Sequence, residues 1–251
     1  MKISQSMLKM FIRYLSGDEC GLQFEARYIT GTMPETQPTE AQAAGQWFEY
    51  MCTGATPRNS GIIPEPVRIK SGELNAMYRT LSNHLTTWER LRPSDAKFGV
   101  EISNETAIFG HELVGITDVK TPDLIGDIKV TGLIDNKWEE FGWGGDADNL
   151  KEKQLLFQAK YYTLIEWLNT GKILPFWFWV FANNSDKVKQ ILVTMSDASV
   201  ASFLKDVEYL IQALEDEVGN FKPITTYARC NSCPLSCSHR QTSPDIIEIN
   251  L

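Results

Sequence analysis

The chain has 251 residues, of which 43% are hydrophobic and 22% are charged. This length and composition suit one globular domain with a buried core and exclude a mainly disordered chain. The net charge of −8 and the pI near 5.0 argue against a protein that coats nucleic acid through bulk electrostatics. An enzyme that binds divalent cations through carboxylates can nonetheless be acidic, so any nucleic-acid contact would come from a local basic groove.

Neither a membrane span nor a secretory signal is expected. The longest apolar run covers residues 173–182 and includes Pro175, which is about half the length that a membrane-spanning helix needs. The first residues lack the apolar stretch and small-residue cleavage site of a signal peptide. The sequence therefore predicts a cytoplasmic protein that does not interact with a membrane.

In the first part of the chain, segments with helical periodicity alternate with loops that contain proline. The predicted helices cover residues 5–28, 40–52 and 74–91, and the predicted loops cover residues 30–39 and 57–66. Gly17 and Gly21 are expected to interrupt the first helix around Cys20. Gly54 and Pro93 are expected to end the second and third helices.

From residue 97 onward the periodicity changes to that of strands. The predicted strands cover residues 97–102, 107–119, 124–130, 176–182 and 188–194, and the predicted helices cover residues 150–168 and 196–217. The first three strands follow one another through short turns and predict an antiparallel meander. The complete order of elements predicts a mixed α/β fold around one central sheet.

Two carboxylates and a lysine are expected to lie together on neighbouring strands. If a turn at Pro122 joins two antiparallel strands, Asp118 lies close to Asp127. Since side chains alternate along a strand, Asp127 and Lys129 point to one face and Ile128 points to the other.

Such a group suits phosphodiester hydrolysis. Carboxylate oxygens bind Mg²⁺ or Mn²⁺, the metal polarises the phosphoryl oxygen and activates a water, and a lysine orients that water or stabilises the developing charge. The alternative interpretation is a surface hairpin with Asp and Lys on its solvated face, and Asp-x-Lys alone favours that alternative.

These residues and the helix that follows them resemble the RecB-like branch of the PD-(D/E)XK nucleases. In that family a helix-borne acid or His precedes an Asp, which is followed by a (D/E)xK triplet and by QxxxY on a helix. Here Asp118 matches the Asp, residues 127–129 match the triplet, and residues 158–162 match QxxxY. The resemblance implies a restriction-endonuclease-like core, in which helices flank a central mixed β-sheet.

The same resemblance implies the residues of the site. It places Mg²⁺ or Mn²⁺ at the side chains of Glu49, Asp118 and Asp127 and at the backbone carbonyl of Ile128. The implied catalytic residues are Asp118, Asp127, Lys129, Glu49, Gln158 and Tyr162.

Glu49 and the Gln158–Tyr162 pair also have structural interpretations. Residues 45–49 are similar to the family's first helix motif, but a solvent-facing helical Glu is the alternative. Gln158 and Tyr162 are four residues apart and so share a helix face. By the resemblance this face borders the DNA path, whereas a tyrosine packed in the core with glutamine at its rim is the alternative.

Three of the five cysteines form a CxxCxxxC cluster at Cys230, Cys233 and Cys237. Three thiols this close in a reducing compartment favour a metal centre over a disulfide framework. The fourth ligand is either His239, which would complete a Cys₃His zinc site, or the distant Cys20.

A second resemblance concerns the RecB-like nucleases that carry an iron–sulfur cluster, the AddB type and those of CRISPR adaptation. They use one cysteine near the N-terminus and three near the C-terminus, and the segment from Cys20 to Tyr28 is similar to their N-terminal cysteine segment. The resemblance implies a [4Fe–4S] cluster on Cys20, Cys230, Cys233 and Cys237, with Zn²⁺ as the alternative. Residues 1–30 and 219–240 would form the cluster module of a single nuclease domain over residues 1–251, and the metal cluster would join the N- and C-terminal segments.

The implied function is a divalent-metal-dependent deoxyribonuclease, an exonuclease acting on DNA ends or single strands in recombination, repair, phage DNA processing or CRISPR adaptation. The alternatives are a structure-specific endonuclease and a non-catalytic DNA-binding subunit with a structural cluster. Because no GxxxxGK[ST] segment occurs in the sequence, unwinding would need a partner such as a helicase. A recombinase or a CRISPR-adaptation protein is a further expected partner.

Overall fold

The structure, a computed structural model, describes residues 1–56, 61–104, 108–139, 142–151, 154–224, 230, 233–235, 237 and 238. The chain divides into two compact units. The first unit comprises residues 1–2 and 38–204, and the second comprises residues 3–37 and the chain from residue 205 onward. Within the described residues, no helix is long and apolar enough to cross a membrane.

The described residues form six strands and seven α-helices. The strands are β1 (Lys2–Ser4), β2 (Lys97–Ser103), β3 (Glu112–Lys120), β4 (Ile125–Thr131), β5 (Phe176–Ala182) and β6 (Val188–Val193). The helices are α1 (Gln5–Leu15), α2 (Gly21–Phe24), α3 (Glu40–Thr53), α4 (Ala76–Leu91), α5 (Ala147–Lys151), α6 (Phe157–Thr170) and α7 (Asp197–Glu217). A π-helical turn at Glu25–Ile29 follows α2, and a 3-10 turn at Gln154–Leu156 precedes α6.

The strands form one mixed sheet in the order β1-β3-β4-β5-β6, with β2 also paired to β3. The β2–β3, β3–β4 and β5–β6 pairs are antiparallel, whereas β4 and β5 are parallel. A parallel pair needs a crossover connection, and α6 lies in the chain between these two strands. The predicted meander over β2, β3 and β4 is confirmed, and so is the predicted mixed central sheet.

Helices α3 and α4 cover one face of the sheet with an aromatic core. The ring centroids of Trp88 and Trp179 lie 5.5 Å apart, and those of Phe48 and Phe181 lie 4.9 Å apart, both pairs edge to face. Trp88 also donates a hydrogen bond of 3.0 Å from its indole to the carbonyl of Cys52. Because all these aromatic side chains are buried, they fix α3 and α4 against β5.

Helix α6 packs on the sheet as well, through side chains that include Tyr162 and Phe176, whose centroids are 5.9 Å apart. At the end of the helix, Lys120 of β3 forms an ion pair with Glu166, which is almost fully buried. Helices therefore flank the central sheet of the first unit.

Most helix boundaries agree with the sequence. Thr39 forms a capping box with Gln42 at the start of α3, and Gly54 ends that helix in the left-handed conformation at φ +71°. The predicted interruption of the first helix is confirmed, because Gly17 adopts φ +79° and separates α1 from α2. The prediction of one helix over residues 150–168 is wrong in detail, because this segment is divided into α5, the 3-10 turn and α6.

The second unit contains a cluster of aromatic rings that includes Phe11, Phe24 and Phe221, with centroids 5.1 to 5.5 Å apart. Beside them Gly21 donates a backbone hydrogen bond of 3.0 Å to the carbonyl of Lys222. A Cβ at Gly21 would lie 2.5 Å from that carbonyl oxygen, so only glycine permits this approach.

Candidate active site

Strand β4 carries the DxK triplet at the centre of the sheet. Asp127 lies opposite Phe178 of the parallel strand β5, and Ile128 lies opposite Trp179. Ile128 belongs to the core beneath α3 and α4, whereas the Asp127 carboxylate contacts α6. The alternation predicted for the two sides of this strand is therefore present.

Two nitrogen donors hold the carboxylate of Asp127, which is only 3% exposed. The amide of Gln158 donates to Oδ1 at 2.5 Å. The ammonium of Lys129 faces Oδ2 as an ion-pair partner, although Oδ2 receives no hydrogen bond of regular geometry. The helix that follows the triplet in the chain thus contacts the triplet directly.

Asp118 lies beside the same segment, as the sequence predicts. Its Oδ2 accepts a 2.7 Å hydrogen bond from the backbone N–H of Ile128. Next to it, the buried hydroxyl of Thr117 contacts the carbonyl of Gly126 at 2.7 Å and that of Val119 at 2.9 Å. These bonds fix the end of β3 against β4, and they place the Asp118 carboxylate next to the backbone that joins Asp127 to Lys129.

Glu49 reaches this group from α3. Trp47 and Phe48 are buried in the core, and Glu49 is half-buried beside them. Burial raises the pKa of the Glu49 carboxyl, and the negative charge of Asp127 raises it further. The electrostatic effect of Asp127 on Glu49 indicates that α3 delivers a third carboxylate to the site.

Negative charge dominates the electrostatics of the site. Burial raises the pKa of Asp118 well above its usual value, and the carboxylates of Asp127 and Glu49 raise it further. Burial alone would lower the pKa of Lys129, but Asp127 and Asp118 outweigh it and raise that pKa, so Lys129 stays charged. One ammonium thus faces three carboxylates, and the arrangement favours any additional cation.

Tyr162 lies one helical turn beyond Gln158 and is buried. Burial and the charge of Asp127 raise the pKa of its phenol to about 12, while a hydrogen bond to the backbone of Ile116 opposes the rise. A Cβ at Gly115 would overlap the Tyr162 ring, so β3 and α6 approach closely only because this residue is glycine. Sequence reasoning missed Gly115, although a glycine within a strand signals such an approach.

Four of the five cysteines belong to the second unit. Of these, Cys20 and Cys230 are buried, and Cys233 and Cys237 are half-buried. All five cysteines are free thiols, and the fifth, Cys52, is buried on α3 of the first unit. His239, the alternative fourth ligand, lies outside the described residues.

The described side chains do not form a complete metal-binding site. Across the described ranges, no three His, Cys, Asp or Glu side chains converge closely enough to hold one metal ion. At the carboxylate site, hydrogen bonds engage Oδ2 of Asp118 and Oδ1 of Asp127, and the ammonium of Lys129 faces Oδ2 of Asp127.

The fold matches known structures, while the sequence does not match known families. No protein-family model and no curated protein matches the chain. The crystal structure of a putative exonuclease from Eubacterium rectale superposes with a TM-score of 0.68 at 21% identity, covering 98% of this chain and 91% of that one. The structure of LHK-Exo in complex with dAMP gives a TM-score of 0.46 at 13% identity, covering 87% and 90%. The first likeness shows that this chain shares the fold of that structure.

Proposed function

We propose that the chain is a divalent-metal-dependent deoxyribonuclease that hydrolyses phosphodiester bonds at DNA ends or in single strands. The observation that carries the proposal is the set of contacts that joins Asp118, Asp127, Lys129 and Gln158 at the centre of the sheet. The shared fold with an exonuclease-like structure supports the same reaction class.

The donor atoms are of the kind that a hard divalent cation prefers, although the described side chains do not converge on one metal position. Glu49, Asp118 and Asp127 supply carboxylate oxygens. The backbone carbonyl of Ile128, which lies between Asp127 and Lys129 in the chain, supplies a further oxygen. Burial raises the pKa of Asp118 and of Glu49, and repulsion among the carboxylates raises both further. A bound cation would relieve that repulsion. Mg²⁺ or Mn²⁺ held by these residues would polarise the phosphoryl oxygen and lower the pKa of a bound water.

The protein's own side chains have separate roles in this proposal. Gln158 holds Oδ1 of Asp127 and so fixes the rotation of that carboxylate. Lys129 stays charged and is about a third exposed, so its ammonium can leave Asp127 and contact a phosphate oxygen. Tyr162, whose phenol stays protonated, supports the wall of the site from α6.

Cleavage of end-labelled single-stranded and duplex DNA, with Mg²⁺ or Mn²⁺ added, tests the proposal. Lys129→Met should lower the rate by about a hundredfold or more, because it removes the cation that stabilises developing charge. Asp127→Asn should do the same while the protein stays folded. Asp123→Asn, an exposed carboxylate in the turn before β4, is the matched control and should cleave normally. Wild-type activity in the Lys129 or Asp127 variant would refute the proposal.

A separate proposal concerns the second unit. We propose that a [4Fe–4S] cluster is bound by Cys20, Cys230, Cys233 and Cys237. The alternative is a zinc ion bound by the three C-terminal cysteines and His239. The spacing of the four cysteines in the sequence, their free thiols and their membership of one compact unit support the cluster. Anaerobically purified protein should be brown and contain iron, and Cys20→Ala should remove the colour. Colourless protein with bound zinc that is indifferent to Cys20 would overturn it.

Partners follow from the substrate. The chain is proposed to act on DNA ends supplied by a separate unwinding protein such as a helicase, or on strands handed over by a recombinase or a CRISPR-adaptation protein. Cleavage of single strands without a partner, together with weak cleavage of blunt duplexes, would support this division of labour.

A further inference from the structure

The loop that follows β4 presents Trp138 to solvent. This indole is 85% exposed, more than any other large hydrophobic side chain in the described part of the chain. A single exposed apolar side chain is normal on a protein surface and by itself indicates no function. The position is notable because the same strand, β4, carries Asp127 and Lys129 shortly before the loop begins.

The backbone of residues 136–139 is held by short-range hydrogen bonds. The side-chain oxygen of Asn136 accepts from the backbone N–H of Trp138 at 2.9 Å and from that of Glu139 at 3.0 Å. The carbonyl of Leu133 accepts from the N–H of Trp143 at 3.0 Å, which closes the base of the loop. A fixed loop loses little conformational entropy when its exposed ring binds a partner.

Strand β6 anchors the same loop. The ammonium of Lys189 donates to the carbonyls of Ile134 at 2.7 Å and of Trp143 at 3.0 Å. Lys187 pairs with Asp135 at 2.5 Å. Asp135 is thereby paired with two lysines, Lys187 and Lys189.

The base of the loop adjoins the candidate active site. The buried ring of Trp143 packs on Phe178 at a centroid distance of 5.2 Å. Phe178 is the residue of β5 that lies opposite Asp127. A strand of DNA with a phosphate at Asp127 and Lys129 would therefore leave the site close to this loop.

Lys137 places a positive charge beside the exposed ring. Its ammonium lies over the Trp138 indole, 4.5 Å from the ring centroid. An aromatic ring stacks on a nucleobase and a neighbouring ammonium contacts phosphate, which is the combination used to bind single-stranded nucleic acid. We propose that Trp138, assisted by Lys137, is a stacking site for one nucleobase of a single DNA strand engaged at the active site. This inference rests on the proposed function.

The experiment compares two fluorescein-labelled oligonucleotides of equal length and charge, an oligothymidylate and the corresponding abasic strand. Binding is measured by anisotropy without divalent metal, so that no cleavage occurs. The wild type should bind the oligothymidylate about tenfold more tightly than the abasic strand, because only the former has bases to stack. Trp138→Ala should lose this preference, and Trp138→Phe should keep part of it. Tyr209→Ala, which removes a ring that is 70% exposed on α7, is the matched control.

The outcomes distinguish failure of the stacking site from failure of the proposed nuclease function. Equal loss of affinity for both strands in Trp138→Ala, or no loss for either, overturns the stacking site while leaving nuclease activity possible. A wild type that neither binds nor cleaves DNA overturns the proposed function and the stacking site together. If Trp138→Ala instead alters sedimentation and leaves binding unchanged, the ring belongs to an interface between two copies and the inference is wrong.

Discussion

The ion pair between Lys120 and Glu166 allows a quantitative test of how α6 is fixed to the sheet. The Glu166 side chain is 4% exposed, whereas that of Lys120 is 28% exposed. Lys120→Met keeps the length of the side chain and leaves a buried carboxylate without its cation. Removing one partner of a buried pair costs about 3–5 kcal/mol, and the partial exposure of Lys120 places the expected loss near the lower end, at about 3 kcal/mol.

Urea unfolding followed by tryptophan fluorescence measures this loss at neutral pH. The double variant Lys120→Met with Glu166→Met should recover most of the stability, since replacing both charges by apolar groups of similar volume is often neutral. Lys187→Met is the matched control, because its pair with Asp135 is exposed on both sides and should contribute little to stability. A loss in Lys120→Met no larger than that of the control would refute the reasoning, as would a double variant less stable than the single one.

The remaining predictions concern the site. Asp118→Asn should abolish cleavage yet stabilise the metal-free protein by about 1 kcal/mol near neutral pH. Because the pKa of Asp118 is raised, the stability that this residue contributes is fully present at acidic pH and is lost as the pH rises through that pKa. The free energies of unfolding of the variant and the wild type should therefore converge in acid. Gly115→Ala should cost about 1–3 kcal/mol by displacing Tyr162, whereas Gly45→Ala, with free space inside α3, should stabilise by about 0.5–1 kcal/mol in the same thermal melts. Gln158→Ala should slow DNA cleavage with little change in melting temperature.

Local patterns in the sequence predict much of the site because the site is built largely from neighbouring segments. The alternation along β4 gives the opposite orientations of Asp127 and Ile128, and the short turn after β3 brings Asp118 alongside. The spacing of Gln158 and Tyr162 predicts a shared helix face, and both residues do contact the site from α6.

Other features depend on how elements pack across the sheet and leave no periodic signal. Lys120 and Glu166 pair over 46 residues of sequence, and either residue alone is typical of a solvated surface. The exposure of Trp138 could not be predicted from the sequence either, since tryptophan more often occupies a core position.

The second unit is discontinuous, and this has a consequence for the order of events during synthesis. Residues 3–37 are synthesised before residues 38–204, but the segment they pack with begins only at residue 205. Residues 38–204 form most of a unit that can fold while the chain is still growing. Gly21 can bond to Lys222 only after residue 222 has been synthesised, so residues 3–37 lack that partner while residues 38–204 are being made. We therefore expect Cys20 to be reactive in nascent chains stalled at residue 204 and protected in the released protein, which pulse labelling with a thiol reagent can measure.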